Sequence, residues 1–162
     1  MNRPRDEEHG SARTRTSRVI SARPKEVFEA FINPATLVAW LPPEGMTGEI
    51  REFDARVGGG YRMSLFYPPD ERTYRGKTSD REDMVNVRFV ELTPPRRIVE
   101  AVSFVTADPA FFGEMTMTAT FDEVSAGTEV TLVFEKLPPG LRAEDNEAGS
   151  RSSLEKLARR FE

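Results

Sequence analysis

The residues able to carry chemistry in this chain of 162 amino acids are few. There is no cysteine, which removes thiolate nucleophiles, disulfides and Cys-based zinc sites. The single histidine, His9, lies in an arginine-rich start, where a solvated tail residue is expected rather than a metal ligand or general base. A Ser-His-Asp relay is therefore unavailable to the folded part, and catalysis would fall to carboxylate, Arg, Lys or Tyr groups. Glu147 and Arg151, at i and i+4, form the one helix-borne acid–base pair near a supposed site mouth; a surface ion pair is the simpler account. Glu144 and Asp145 sit where a helix dipole favours acids, so capping explains them. Gly58-Gly59-Gly60 lacks the Lys-Ser/Thr of a phosphate loop and runs into a strand, so a glycine bend or bulge is expected. No catalytic residue, metal or cofactor is predicted from these patterns.

The apolar residues are more suggestive. Met115 and Met117, with Met63 and Met84, are either ordinary core or the adaptable wall of a pocket, since thioethers repack at little strain. Trp40, the only tryptophan, is either a plug where short helices meet a sheet or a ligand contact. Phe111-Phe112 follows Asp108-Pro109 on a connection, where adjacent aromatics make a lid candidate.

Secondary structure must position these groups. Residues 1–16 are polar and charged after Met1 and are expected as a disordered tail, leaving 17–162 as a single domain. A short strand is expected at 17–22. Pro24 then opens a helix to Ile32 with Val27, Phe28, Phe31 and Ile32 at helical spacing, and Asn33-Pro34 separates it from a second short helix carrying Leu37 and Trp40. Beyond Pro42-Pro43 the period becomes two, and strands are expected at 47–54, 60–67, 73–79, 84–92, 97–105, 114–124 and 128–136. Pro-Pro pairs starting at 42, 68, 94 and 138 punctuate them. In the strand at 60–67, Tyr61, Met63 and Leu65 share one face and Arg62, Ser64 and Phe66 the other; periodicity leaves open which is concave. The clearest alternation sets Met115, Met117, Ala119 and Phe121 against Glu114, Thr116, Thr118 and Thr120. A sheet with one dry face needs a cover, and 143–161 supplies one through the stripe Leu154, Leu157, Ala158 and Phe161.

Composition narrows the partners. With 23 Lys+Arg against 27 Asp+Glu the net charge is −4, so no basic field meets a nucleic acid or an anionic membrane. The start MNRPRDEEHG has no apolar signal core and no run approaches the ~20 apolar residues of a membrane span, so a cytoplasmic protein, monomeric or weakly dimeric, is expected.

Taken in order along the chain, Val19-Ile20, Arg23 to Phe28 (RPKEVF), Trp40, Asp54 to Arg62 (DARVGGGYR), Pro94 to Val99 (PPRRIV), Gly127 to Leu132 (GTEVTL) and Leu154 to Ala158 (LEKLA) resemble the START-like, or SRPBCC, helix-grip superfamily. Within it they are similar to the group named for the activator homologue of the ninety-kilodalton heat-shock protein ATPase. The resemblance covers about 17–162. It implies an α+β helix-grip fold: a curved antiparallel sheet wrapped around a long C-terminal helix, two short helices near the N-terminus, and a hydrophobic cavity between sheet and helix. Relatives include lipid and hormone carriers, polyketide cyclases, stress-response proteins and a co-chaperone domain, so fold alone does not decide activity. The last helix of the family usually begins with Gly-Trp, whereas here Gly149 precedes Ser150, which implies a roomier and more polar cavity. The cavity-lining set implied is Trp40, Tyr61, Met63, Phe89, Phe104, Phe112, Met115, Met117, Leu132, Glu147, Ser150, Arg151 and Leu154. The leading expectation is binding of a small apolar or amphipathic molecule, with no strong sign of turnover in the sequence. The rivals are a co-chaperone-like interaction module using the charged hairpin at 72–83, and a cyclase- or hydrolase-like enzyme. The enzyme requires a carboxylate or Arg with a shifted pKa inside the cavity, and solvated Glu147, Arg62 and Arg151 would count against it.

Overall fold

The computed structural model describes residues 12–68, 76–79 and 81–162. His9 and most of the expected tail lie outside them, as do residues 73–75 of the expected strand at 73–79. Seven strands, β1 (Arg13–Ile20), β2 (Thr47–Arg51), β3 (Gly60–Phe66), β4 (Glu82–Thr93), β5 (Arg97–Phe104), β6 (Glu114–Val124) and β7 (Gly127–Glu135), form one antiparallel sheet ordered β1-β7-β6-β5-β4-β3-β2. The sheet curls into a half-barrel, and three helices, α1 (Pro24–Ile32), α2 (Pro34–Trp40) and α3 (Ala143–Arg160), complete an α+β fold.

Local chemistry fixes the short helices. Each opens on a proline in its first turn, where no N–H is required. The Asn33 carboxamide accepts from the Ala35 and Thr36 amides at 3.0 and 3.2 Å, capping α2 as α1 ends. Trp40 is fully buried, its indole N–H donates to the Ala30 carbonyl at 3.0 Å, and its ring lies 4.7 Å from Phe31, so it locks α2 onto α1.

Three expected strands are corrected, the one at 47–54 simply ending early, at Arg51. β1 begins at Arg13, inside the segment expected as tail, and pairs with β7 from Arg13↔Glu135 onward, with Thr14 and Thr16 buried. Its inward positions carry threonine rather than aliphatic residues, so its first half has no hydrophobic alternation. Of the strand expected at 73–79, the described part, 76–79, shows only an isolated bridge between Ser79 and Glu82.

Curvature comes from identifiable places. In β4 the register with β5 slips between Phe89 and Glu91, a bulge that bends the strand and leaves Val90 exposed. Gly60 starts β3 at φ +159°, where a Cβ would lie 1.9 Å from the Val87 carbonyl oxygen; only glycine permits that approach. The triple glycine is thus a bend. The Gly58 and Gly59 amides donate to the Phe89 and Arg56 carbonyls, leaving neither to cradle a phosphate.

α3 closes the concave face. Its C-terminal half buries Leu154, Leu157 and Ala158 in the core. Polar ties hold it to the segment after α2: the Ser153 hydroxyl donates to the Leu41 carbonyl, Lys156 to the Pro42 carbonyl at 2.7 Å, and the Glu44 amide to the Ser152 hydroxyl at 2.7 Å. At its other end Asn146 accepts from the Thr14 hydroxyl of β1.

Candidate functional site: a cavity under the C-terminal helix

Between the concave face of the sheet and the N-terminal half of α3 lies a cavity of about 220 Å³. An apolar cavity of ~150 Å³ admits benzene, and sites for drug-sized ligands run to ~300–1,000 Å³. The space therefore matches a single ring with a short substituent.

The sheet wall is built by period-two alternation. Tyr61, Met63 and Leu65 face inward from β3, so the Tyr61 face is the concave one, and Val85 and Val87 follow on β4. Met115 and Met117 on β6 and Leu132 on β7 continue the wall, with Phe104 at the end of β5. Trp40 and Leu37 of α2 and Phe31 of α1 close one side, so Trp40 is both the plug between helices and a wall residue.

The helix wall differs in chemistry. Asn146, Gly149, Ser150 and Ser153, at helical i, i+3, i+4 and i+7, face the cavity, with Asp145 beside them. These side chains are short, so the helix backbone stands over the sheet with space beneath it. One turn further on, leucines fill the same gap. The cavity exists because the apolar stripe of α3 stops short of its N-terminus.

Of the residues expected at the site, Trp40, Tyr61, Met63, Phe104, Met115, Met117, Leu132 and Ser150 are brought together on this wall. Five are placed elsewhere. Phe112 is 53% exposed; its neighbour Phe111 turns inward instead, its ring 5.9 Å from Phe104, so the aromatic pair is split by the 3-10 turn Pro109–Phe111. Phe89 is fully buried in the core on the same concave face, 5.9 Å from both Tyr61 and Phe53, where it packs against the Tyr61 ring. Leu154 is core packing beneath the cavity's end. Arg151 is exposed and Glu147 half-buried off the wall, because the helix turns the face of Asn146 and Ser150 inward, not theirs. Among the described residues Glu147 and Arg151 form no ion pair with each other. Arg62 is also exposed, bonded to Asn86 at 3.0 Å across the outer face.

One wall residue was not anticipated. Glu100 of β5 is 5% exposed and lines the cavity between Phe89 on β4 and Met117 on β6. Its carboxyl has no hydrogen-bond or ion-pair partner among the described residues. Burial pushes its pKa up to about 8, so it carries its proton at neutral pH. Tyr61, 7% exposed, is raised well above the ordinary phenol range by burial first and then by the Glu100 charge. The signal was present in the strand RIVEAVSF: Ile98, Glu100, Val102 and Phe104 share a parity, which sets an acid on an apolar face.

Chemically the cavity offers an acid, a phenol and the Ser150 hydroxyl in an apolar shell. Among the described residues no His, Lys or Arg lines it and no group of side chains suits a metal ion. A buried acid of this kind binds and orients, and can donate a proton, but it has no activated nucleophile beside it.

A curved antiparallel sheet gripping a C-terminal helix over a small cavity defines the helix-grip class. The chain belongs to the family described as Activator of Hsp90 ATPase homolog 1-like protein, whose model matches residues 21–162. It is similar to the solved structure of protein CV1439 from Chromobacterium violaceum, at 33% identity and a TM-score of 0.81 over 92% of this chain and 96% of that one. It is also similar to Mll3558 from Rhizobium loti, at 25% identity and a TM-score of 0.71 over 92% and 96% of the two chains. A Rhodobacter sphaeroides protein at 21% identity and a TM-score of 0.74, over 91% of this chain and 90% of that one, shares the fold. No curated protein is significantly similar in sequence. Among the described residues no helix is long and apolar enough to cross a membrane.

Proposed function

We propose that the protein binds one small, largely apolar molecule in the cavity between its sheet and α3. The supporting observation is the division of α3: small and polar residues over the cavity, leucines over the core, in a helix tied down at both ends. A space held open in this way is a built feature, since close packing otherwise fills interiors. Burying a ring the size of a Phe side chain removes ~200 Å² from water, worth ~5 kcal/mol at ~25 cal/mol per Å². That corresponds to a Kd of roughly 0.2 mM before the costs of association, so polar groups on the wall must supply tighter binding.

The surface-docking alternative has less behind it. Residues 72–75 and 80 of the hairpin expected to dock a partner lie outside the described residues, and its Asp83 is buried and committed to Lys77 at 3.1 Å and to the Tyr67 hydroxyl at 2.8 Å. The exposed large apolar side chains described, Val19, Val57, Val90 and Phe112, lie on β1, the β2–β3 connection, β4 and the β5–β6 connection, and β1 and β4 are not neighbouring strands. For an enzyme, the cavity carboxyl with a raised pKa that this reading requires is present in Glu100, but Arg62, Glu147 and Arg151, the other groups it would use, are off the wall.

Titration with a single-ring, environment-sensitive apolar fluorophore of a size the cavity admits, such as 4-(dimethylamino)benzonitrile, tests the proposal. Saturable one-to-one binding to the wild type, and at least tenfold weaker binding to Ser150→Trp, is expected. Equal binding to a folded Ser150→Trp would place the fluorophore outside this cavity and overturn the assignment.

A further inference from the structure

The cavity wall carries charge of one sign. Glu100 and Asp145 are its acids, and no cationic side chain lines it among the described residues. The neighbours of Glu100 in the sheet are apolar: Phe89 and Met117 across the ladders, Ile98 and Val102 along the strand. A buried carboxyl with no partner is costly, and native structures leave few such groups without a reason. Two hydroxyls lining the same cavity, those of Tyr61 on the sheet and Ser150 on the helix, likewise make no hydrogen bond among the described residues. Three polar groups thus line one space, none of them hydrogen-bonded among the described residues.

Resting on the ligand-binding reading above, we propose that the cavity selects a small amine, its apolar body against Met115 and Met117 and its ammonium on the Glu100 carboxylate. The chemistry decides between ligand classes. An ammonium has N–H donors for the carboxylate and the two hydroxyl oxygens, and its charge completes an ion pair in a low-dielectric site. An alcohol of the same shape satisfies one of these groups and leaves the acid uncharged. A carboxylate ligand brings a negative charge toward two acids. Asp145 is exposed in the first turn of α3, where its charge attracts cations toward the space beneath.

Other titrating groups do not alter this balance. Tyr61 from β3 and Asp145 from α3 share the wall with Glu100, while β4, β6, β7, α1 and α2 contribute uncharged side chains to it. Lys77 lies 5.4 Å from the Phe104 ring centroid but is held by Asp83. Protons balance as follows: the free cavity holds neutral Glu100, the amine arrives as an ammonium, the complex contains ammonium and carboxylate, and one proton leaves to solvent.

Isothermal titration of the full chain at pH 7 with phenethylamine, phenethyl alcohol and phenylacetate, in two buffers of different ionisation enthalpy, provides the test. The amine is expected to bind about tenfold or more tightly than the alcohol, with phenylacetate weakest, and to release close to one proton where the alcohol releases none. Glu100→Gln should retain alcohol binding while losing both the amine preference and the proton release. Should the alcohol match the amine, or the amine preference survive in Glu100→Gln, the amine assignment is overturned while the cavity reading stands. Should none of the three bind and the apolar fluorophore also be excluded, the cavity reading itself fails. Fluorophore binding without amine binding overturns only the amine assignment. The wild-type proton release is independent of whether the variant folds.

Discussion

Burying an acid on the apolar face of β5 ties the stability of the whole domain to pH. Below the ordinary Glu range both folded and unfolded chains hold the Glu100 proton, and the acid imposes no charge penalty. As pH rises from about 4.5 toward about 8 the unfolded chain ionises while the folded one keeps its proton, so stability falls through that window and levels off above it. The full difference is on the order of 5 kcal/mol. Glu100→Gln should be nearly level over the same window and, above pH 8, more stable than the wild type by several kcal/mol, as read by urea midpoints across pH. Parallel profiles for the two proteins would contradict the burial of an unpartnered acid. Phe112 makes the opposite case: Phe112→Ala should change stability by no more than ~0.5 kcal/mol and leave fluorophore binding intact, because the ring is in solvent. Phe112 was read as a cavity residue and Glu100 was passed over in the sequence for related reasons. Side-chain type alone makes a phenylalanine look buried and a glutamate exposed, and only the parity of RIVEAVSF and the turn geometry at Pro109–Phe111 reverse that.

At the scale of elements, α3 is where packing and function compete. Its helical interior contains Gly149, whose added Cβ would meet Pro43 at an ordinary 3.8 Å. Gly149→Ala should therefore stabilise the protein by about 0.5–1 kcal/mol, raising Tm by roughly 1–4 °C, since glycine is entropically poor in a helix and nothing obstructs the methyl group. A fall in Tm would show that the helix cannot sit as close to the segment after α2 as the structure places it. Helical spacing in the sequence was enough to find all three helices, and period-two alternation located β3 to β7 with ends shifted by at most two residues. The first half of β1 was hidden because Thr14 and Thr16 are its buried residues and arginines its exposed ones. The rotation of α3 was hidden as well. In its N-terminal half no aliphatic stripe marks the inner face, so Glu147 and Arg151 were as plausible by spacing as Asn146 and Ser150.

At the scale of the whole molecule, one closed arrangement explains the sequence's departures from a simple core. The bulge in β4 and the bend at Gly60 curl the sheet, α1 and α2 block one side, and α3 is tied at Thr14 and at residues 41–44. The strands and their helix cover follow from hydrophobic patterning, which the sequence displays openly, whereas the strand order does not. Volume left empty has no pattern of its own and emerges only when short side chains from one element meet the curvature of another. Native mass spectrometry of the protein purified from its host, followed by denaturing extraction, tests the ligand-binding proposal most directly. A single small compound retained at one per chain and released on unfolding is the expected result. A protein that emerges empty, and that also fails to take up an apolar fluorophore, would contradict it.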